Sequence, residues 1–469
     1  MKIYFLQEII YEYFGPMYLS AVLKQHGHQV EMIVPDEEKG WMNKIQDAGL
    51  IAFSCMTSSH KWGLKIAKEI KQKYPHLPII FGGVHPTVFT DMINEAPVDY
   101  IALGESDYLF TNFVNRLEKN QDTTNLKGIW AKKDGQIFKN EIEHLEEDLD
   151  KLPFPDRELY YSKYKFLRDM PTKRFMTSRG CPFQCAFCFN HVYLKLYQGK
   201  GRWLRKRGID NLIQEIKEVK QKYGLKSVRF SDDTFATNKI WLKEFLIKYQ
   251  QEINLPFTFL FIAGELNEEL IKLAKEANCS SVYFGIESGN EYIRMKILNK
   301  PLKDRAILET GYLLRKHKLK FGTYNMVGLP TETLEDAFKT IRLNAKIKVN
   351  FPTCSLIQPY PGTKIFEYCV AHNLIEENYT PDDIITMYEK SVLKLPDKRQ
   401  MENLQRFFYL GCKFPSLIPL IKQLIKLPKN PFFKLIFMAS LAHRSINSMN
   451  IGLIDAFKIG IRFRKTVFK

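Results

Sequence analysis

Apolar segments with the length of β-strands alternate with amphipathic helical segments along most of this 469-residue chain. Parallel strands need a crossover connection, so a repeated strand–helix order predicts parallel sheets with helices on their faces. Two such series are present, and a Pro-rich segment at residues 152–156 separates them. We therefore predict an α/β protein with two parallel sheets.

The first series, residues 1–125, predicts a doubly wound (Rossmann-like) domain whose strands end in polar or glycine-containing loops. Ligands of such sheets bind at the carboxyl ends of the strands. Residues 126–168 are interpreted as a short hairpin followed by the Pro-rich linker. The loop residues that we expect to contact a ligand are Thr57, Ser58, Ser59, Gly82, Gly83, His85, Gly104 and Glu105.

The second series, residues 169–395, contains six predicted strand–helix units. Six units are too few for a closed eight-unit barrel, so an open, partial (β/α)6 barrel of the TIM type is expected. After residue 396 the pattern becomes helical, apolar and basic, which predicts an α-helical C-terminal region.

Cys181, Cys185 and Cys188 follow the first predicted strand of the second series, with the spacing C-x3-C-x2-C. Three thiolates on one loop suit a metal or an iron–sulfur cluster, and barrel enzymes carry their chemistry at this end of the strands. A [4Fe–4S] cluster held by three cysteines leaves one iron open to a ligand. The alternative is a structural zinc site of the Cys3His type, completed by His191. The other five cysteines are isolated and are expected to be small buried side chains.

This cysteine segment, with the aromatic Phe187 before the third cysteine, resembles the signature of the radical S-adenosylmethionine (radical SAM) superfamily. Further segments that resemble the superfamily follow in order at residues 231–235, 285–289, 328–333 and 358–363. The resemblance implies that S-adenosylmethionine binds the open iron through its amino and carboxylate groups. The implied contacts are Asp232 or Asp233 to the amino group, Glu287 and Ser288 to the ribose, and Gly328 and Pro330 to the adenine.

Residues 1–125 resemble the cobalamin (B12)-binding domain that is fused to one branch of this superfamily. The resemblance implies cobalamin as a third cofactor beside the [4Fe–4S] cluster and S-adenosylmethionine. The Asp-x-His-x-x-Gly motif that supplies a cobalt ligand in other cobalamin proteins is absent. His85 has a different context, so we expect no protein imidazole on the cobalt. The alternative is a doubly wound module that binds another ligand or none.

The resemblance implies a B12-dependent radical SAM enzyme. In its main version a 5′-deoxyadenosyl radical abstracts hydrogen from an unactivated carbon, and that carbon receives a methyl group from cobalamin. The first alternative is radical cyclisation or oxidation without methyl transfer, because the resemblance includes anaerobic porphyrin-ring cyclases. Transfer-RNA methylthiolation ranks lower, since the first domain has Cys55 alone and the C-terminal region looks helical. A non-catalytic cobalamin or iron–sulfur sensor also ranks lower.

Residues 401–469 carry a net charge of +10 out of the total of +17. Lys422 and Lys426 share one helical face, and leucines 420, 424 and 427 are expected on another, a pattern typical of helices in a membrane interface. The alternative is a helical cap packed on the barrel. We expect a cytoplasmic protein, peripheral to the inner face of the membrane, with a small-molecule or lipid-linked substrate. Its electron donor is expected to resemble flavodoxin or ferredoxin, and no nucleic-acid partner is expected.

Overall fold

The computed structural model describes residues 1–384 and 387–449. The chain forms two compact units: residues 1–170 with 192–207, and residues 171–191 with 208 onward. Each unit is built on one large sheet with helices between its parallel strands, so the predicted α/β class is confirmed. The domain bounds given above remain a prediction.

The first unit contains a seven-stranded sheet in the order β2-β1-β3-β4-β5-β6-β7. The first five strands pair in parallel, and the predicted hairpin adds β6 and β7 as an antiparallel edge. The direction of winding reverses at β1, and such switch points are where doubly wound sheets bind ligands. The strands are β1 Lys2–Leu6, β2 Gln29–Ile33, β3 Leu50–Ser54, β4 Ile79–Gly82, β5 Tyr100–Ala102, β6 Ile129–Lys133 and β7 Gln136–Phe138.

Buried aliphatic and aromatic side chains hold the helices of this unit against the sheet. Phe53 of β3 stacks on Phe81 of β4, with ring centroids 4.5 Å apart, and Ile66 and Ile70 cover the same face. The helices are α1 Phe14–Gln25, α2 Trp41–Lys44, α3 His60–Lys73, α4 Val84–Val88, α5 Asp107–Glu118, α6 Glu158–Tyr161 and α7 Lys165–Asp169.

The second unit contains a six-stranded parallel sheet in which spatial order follows chain order, as in a partial barrel. The predicted (β/α)6 arrangement is therefore confirmed. Its strands are β8 Thr172–Phe175, β11 Ser227–Phe230, β12 Phe257–Leu260, β13 Cys279–Glu287, β14 Lys320–Val327 and β15 Phe351–Leu356; the two-residue strands β9 Ser178–Arg179 and β10 Arg205–Lys206 lie between β8 and β11 in the chain. The accompanying helices are α9 Ile209–Tyr223, α10 Lys239–Glu252, α11 Glu268–Glu276, α12 Asp304–Lys316, α13 Leu334–Lys346 and α14 Lys364–Ala371. Helix α8, Asn190–Leu196, begins in this unit, but most of it belongs, like β10, to the first unit.

Three helices follow the second sheet: α15 Lys398–Lys413, α16 Ile418–Leu424 and α17 Pro431–Met449. The apolar face of α15 belongs to the core of the second unit, where Leu404 and Phe407 are buried. The C-terminal region is therefore helical, as predicted, over its described part. None of the described helices combines the length and apolarity needed to cross a bilayer.

The apolar side chains around α16 divide between the core and the surface. Ile421 and Ile425 are the buried residues, whereas Leu420 and Leu427 are exposed. The isoleucines therefore pack on the core, and contact of the predicted leucine face with a membrane stays a prediction. The basic end of the chain at residues 462–465 lies outside the described residues.

We predict that Gly289→Ala lowers the free energy of unfolding by about 1–3 kcal/mol, the usual cost of overpacking. An added Cβ at Gly289, just after β13, would lie 2.4 Å from the backbone nitrogen of Thr340 in α13. Chemical denaturation measures the loss. Gly15→Ala in α1 is the control, because no atom lies within 4 Å of its added Cβ. An equal loss in both variants would contradict this account of the packing.

Candidate functional site

The carboxyl ends of the second sheet place the predicted radical SAM residues in loops along one edge. The cysteine loop, residues 181–188, follows β8, the first strand of this sheet, and the short strand β9; it begins after Gly180, which has a φ of +85°. Other loops of the same unit hold it: the amide of Ala186 donates to the carbonyl of Leu298 at 2.8 Å, and the amide of Ile365 donates to the carbonyl of Ala186 at 2.9 Å. Asn299 donates from its side chain to the carbonyl of Gln184 at 2.8 Å.

His191 has a structural role that removes it from the zinc alternative. Its Nδ1 lies 3.2 Å from the carbonyl oxygen of Cys185, and its Nε2 accepts from the amide of Lys364 at 3.3 Å. Burial lowers the pKa of His191, which favours this neutral tautomer. Across residues 1–384 and 387–449, no three His, Cys, Asp or Glu side chains converge on one metal ion. A cluster does not require such convergence, because each cysteine binds its own iron.

The three thiols of the cysteine loop are partly or fully buried. Burial raises the pKa of Cys181 to about 12 and that of Cys185 to about 11, and it also raises the pKa of Cys188. The nearby ammonium of Lys300 opposes this effect at Cys185. Thiols in this state are protonated at neutral pH, so loading a cluster must release their protons. The residues present fit a three-cysteine cluster.

The two adjacent aspartates after β11 have different surroundings. Oδ1 of Asp232 accepts hydrogen bonds from the amide and hydroxyl of Thr177 and from the hydroxyl of Ser178, at 2.6–2.9 Å. Asp232 is thus buried and ties the end of β11 to the segment before the cysteine loop. Asp233 is exposed and accepts from Nδ2 of Asn190 at 3.1 Å; the same Nδ2 lies 3.5 Å from Sγ of Cys188.

Glu287 ends β13 in a left-handed backbone conformation, with a φ of +66°. A non-glycine residue in this conformation costs on the order of 1 kcal/mol or more, and such residues cluster at ligand sites. Its Oε1 accepts from Nζ of Lys300 at 2.8 Å, and both side chains are largely buried. The following Ser288 is fully buried, and its hydroxyl accepts from the amide of Asn290 at 3.2 Å.

Glu332 shapes the loop that contains Gly328 and Pro330. Its Oε2 accepts from the amides of Gly328 at 2.7 Å and Leu329 at 3.1 Å. Gly328 has a φ of +72°, a conformation that favours glycine. Pro330 is buried, and Leu329 belongs to the apolar cluster on which Phe187 packs. Phe187 therefore connects the cysteine loop to the loop after β14.

In the first unit, the three hydroxyls after β3 differ in exposure. Thr57 is buried, and its Oγ1 lies 3.4 Å from Nδ1 of His85. Ser59 exchanges hydrogen bonds with the backbone of Met56, whereas Ser58 is exposed. The ring of His85 is buried and stacks on that of His60 at 4.3 Å. These residues fit a bound cobalamin, and a cobalt without a protein imidazole stays a prediction.

Two of the three predicted glycines of the first unit, Gly83 and Gly104, are needed for packing within the protein. A Cβ on Gly83 would lie 2.9 Å from the carbonyl oxygen of Cys55, so glycine lets the loops after β3 and β4 approach each other. A Cβ on Gly104 would overlap the hydroxyl of Tyr197. Gly82 has ordinary contacts with Ala102. The expected role of Gly83 and Gly104, close approach to a flat ring, stays a prediction.

Glu105 forms an ion pair with Arg205, a buried residue of the same unit. The amide of Glu105 donates to the hydroxyl of Tyr197 at 2.6 Å, and the amide of Gly104 donates to Oγ1 of Thr87 at 2.9 Å. These contacts fix the loop after β5.

Sequence reasoning missed several residues that hold these loops. Lys300 and Arg205 carry no motif, and their acidic partners lie 13 and 100 residues away in the chain. The sequence did contain a signal for Glu332. This carboxylate lies two residues after Pro330, within the segment 328–333 that resembles the superfamily.

We predict that Glu332→Gln weakens the dependence of stability on pH. Burial raises the pKa of Glu332 from the ordinary 4.5 to about 8, so between these values the folded protein keeps a proton that the unfolded chain has released. Stability must then fall as the pH rises across this window. Between pH 6 and pH 8.5 the melting temperature should fall less in the variant than in the unchanged protein, because the amide of the variant cannot ionise.

The control for this prediction is Glu335→Gln, three residues away. Glu335 is exposed, and its ion pair with Lys422 helps to lower its pKa. The melting temperature of this variant should therefore change between pH 6 and pH 8.5 as much as that of the unchanged protein. An equal change in melting temperature with pH in the Glu332→Gln variant and in the unchanged protein would contradict the assignment of Glu332 as a neutral buried acid.

Two family models match this chain. The Radical SAM superfamily matches residues 175–343, and the B12 binding domain matches residues 10–114. The structure of the cobalamin-dependent S-adenosylmethionine radical enzyme OxsB, with aqua-cobalamin and S-adenosylmethionine bound, has a similar fold. The TM-score is 0.69 at 14% identity, covering 99% of this chain and 75% of that one.

An uncharacterized methyltransferase of Pyrococcus horikoshii is 29% identical over 371 residues, covering 77% of this chain and 79% of the relative. Cytidylyl-2-hydroxyethylphosphonate methyltransferase of Streptomyces wedmorensis is 22% identical, covering 81% and 82%. An anaerobic magnesium-protoporphyrin IX monomethyl ester cyclase of Synechocystis is 26% identical, covering 58% of this chain and 54% of the cyclase. The cofactors are a [4Fe–4S] cluster, S-adenosylmethionine and cobalamin. The chain belongs to the radical SAM enzymes that carry a B12-binding domain.

Proposed function

We propose that this enzyme methylates an unactivated carbon of a small-molecule substrate in a cobalamin-dependent radical reaction. The observation that carries the proposal is the presence, in one chain, of a three-cysteine loop at the end of a partial barrel and of a B12-binding domain. Two relatives that match most of both chains are named methyltransferases. When bound, the cluster and S-adenosylmethionine supply the 5′-deoxyadenosyl radical, and cobalamin supplies the methyl group.

The residues of the second unit receive distinct roles in this proposal. Cys181, Cys185 and Cys188 hold three irons of the cluster. Asp233 contacts the amino group of S-adenosylmethionine, because it is exposed and held by Asn190, whereas Asp232 is occupied by its bonds to the segment before the cysteine loop.

The remaining contacts with S-adenosylmethionine depend on two buried acids. Glu287, fixed by Lys300, orients the ribose. Glu332 holds the backbone of the loop after β14, so that Gly328 and Pro330 pack on the adenine. The full burial of Ser288 makes its hydroxyl a support for the loop after β13 and leaves the ribose contact to Glu287.

In the first unit, Ser58 contacts the nucleotide tail of cobalamin, since it is the exposed hydroxyl among residues 57–59. His85 supports the loop by packing on His60 and does not bind cobalt. The reaction also needs a one-electron donor of the flavodoxin or ferredoxin type. The proposal includes a cytoplasmic location with peripheral contact to the inner face of the membrane through the C-terminal region.

A second candidate is radical cyclisation without methyl transfer. The observation in its favour is the match of 278 residues to the Synechocystis cyclase, which spans about half of that protein. The two reactions differ in product mass, because methylation adds one CH2 and ring closure adds no carbon.

The test uses S-adenosylmethionine with a deuterated methyl group and the reduced holoenzyme. We expect deuterated methyl first on the enzyme-bound cobalamin and then in one product when a cell extract is supplied. Mass spectrometry detects both species. Formation of 5′-deoxyadenosine with no label on cobalamin would end the methylation proposal, and an unlabelled product that has lost two hydrogens would favour ring closure.

We predict that Cys181→Ala, Cys185→Ala and Cys188→Ala each remove the cluster and abolish 5′-deoxyadenosine formation. Anaerobic protein should otherwise contain about four irons per chain. Cys279→Ala and Cys354→Ala are the controls, because both thiols are buried away from the cysteine loop, within the sheet core. Retention of iron by all three loop variants, or stoichiometric zinc in the unchanged protein, would overturn the cluster assignment.

A further inference from the structure

Helix α17 is apolar on two faces, and the described part of the protein covers one of them. Phe433 and Phe437 are buried in contact with the helices and loops beneath. On the outward face, Phe432, Leu435 and Met438 are exposed by 64%, 61% and 41%. Residues three apart share a helical face, so these side chains form one outward row. Helices that are apolar all round are normally covered on both sides.

Further apolar side chains of the same unit are exposed in the segments before α17: Phe414, Leu417, Leu420 and Leu427. They lie on different segments, so the outward row of α17 is the surface defined by helical spacing. We call this outward row of α17 the C-terminal apolar surface. Single exposed apolar residues are common on proteins, but several on consecutive helical segments mark an interaction site.

The C-terminal segment that carries this surface is itself basic. Between Glu402 and Asp455 the sequence has no acidic residue, while residues 403–449 contain seven Lys or Arg. Lys429 pairs with the buried Glu402, whereas the pairs of Lys422 with Glu335 and of Lys434 with Glu389 are exposed. Exposed ion pairs contribute about 1 kcal/mol or less, so Lys422 and Lys434 can exchange their partner for a phosphate.

We propose that the C-terminal apolar surface docks on an anionic phospholipid bilayer, with its aromatic and aliphatic side chains at the headgroup boundary and its lysines on the lipid phosphates. Apolar residues beside basic ones are the composition of interfacial helices. Each basic residue near an anionic membrane adds on the order of 1 kcal/mol. A second copy of this chain fits the surface less well, because a two-fold contact brings the same lysines together. This docking rests on the peripheral membrane contact proposed above and does not depend on the methylation chemistry.

The experiment measures flotation of the full-length holoenzyme with vesicles of phosphatidylcholine and phosphatidylglycerol, and with vesicles of phosphatidylcholine alone. We expect binding to the anionic vesicles at about 0.1 M salt and weaker binding at about 0.5 M salt, where charges are screened. The triple variant Phe432→Ser, Leu435→Ser, Met438→Ser should bind about tenfold or more weakly, since it loses three apolar insertions.

The α17 triple variant is preferred to a deletion because it leaves the core intact. Removal of residues from Met401 onward would delete the buried Leu404 and Phe407. The matched control is Ile240→Ser, Tyr312→Ser, Val370→Ser, which removes three exposed apolar residues from other helices of the same unit and should bind like the unchanged protein. Equal binding by both triple variants would overturn the proposal. So would no binding by the unchanged protein, or a dimer in solution that the α17 variant dissociates.

Discussion

Parallel pairing of six strands is the constraint on which the candidate site of the second unit depends. All six strands run in one direction, so loops that are far apart in sequence emerge at the same edge. The cysteine loop precedes the loop after β14 by about 140 residues in the chain, yet Phe187 and Leu329 belong to one apolar cluster. A break in the register of β13 and β14 near Glu287 accompanies the left-handed conformation of that residue at this edge.

The cysteine loop has no regular secondary structure over most of its length, so neighbouring loops must define its shape. Backbone groups at Leu298 and Ile365 bond to Ala186 from two directions, and His191 bridges Cys185 to Lys364. A neutral imidazole with one donating and one accepting nitrogen suits this bridge, and a protonated ring would lose it. The loop is therefore positioned by groups that carry no net charge.

The alternation of strands and helices was enough to predict both sheets, because crossover connections leave a repeated pattern in the sequence. The cysteine spacing likewise identified Cys181, Cys185 and Cys188 as candidate cluster ligands. Position in the sequence could not separate Asp232 from Asp233, since the difference arises from Thr177 and Ser178 on another strand segment. The sequence did not identify Lys300 for the same reason, because its ion-pair partner, Glu287, lies on β13. For Gly83 and Gly104, the sequence predicted positions that require glycine. It could not identify Cys55 and Tyr197, the neighbours that leave no room for a Cβ.

Two buried cations of the second unit are already engaged by carboxylates. Lys300 neutralises Glu287, and Arg294 is paired with Asp304 beside the same loop. Lys300 favours the thiolate of Cys185, but it is already engaged by a carboxylate. Isolated buried anions are unfavourable, so the loop is stable either with three neutral thiols or with iron to balance the thiolates. Cluster loading is therefore an exchange of protons for metal within a loop whose backbone contacts are already in place.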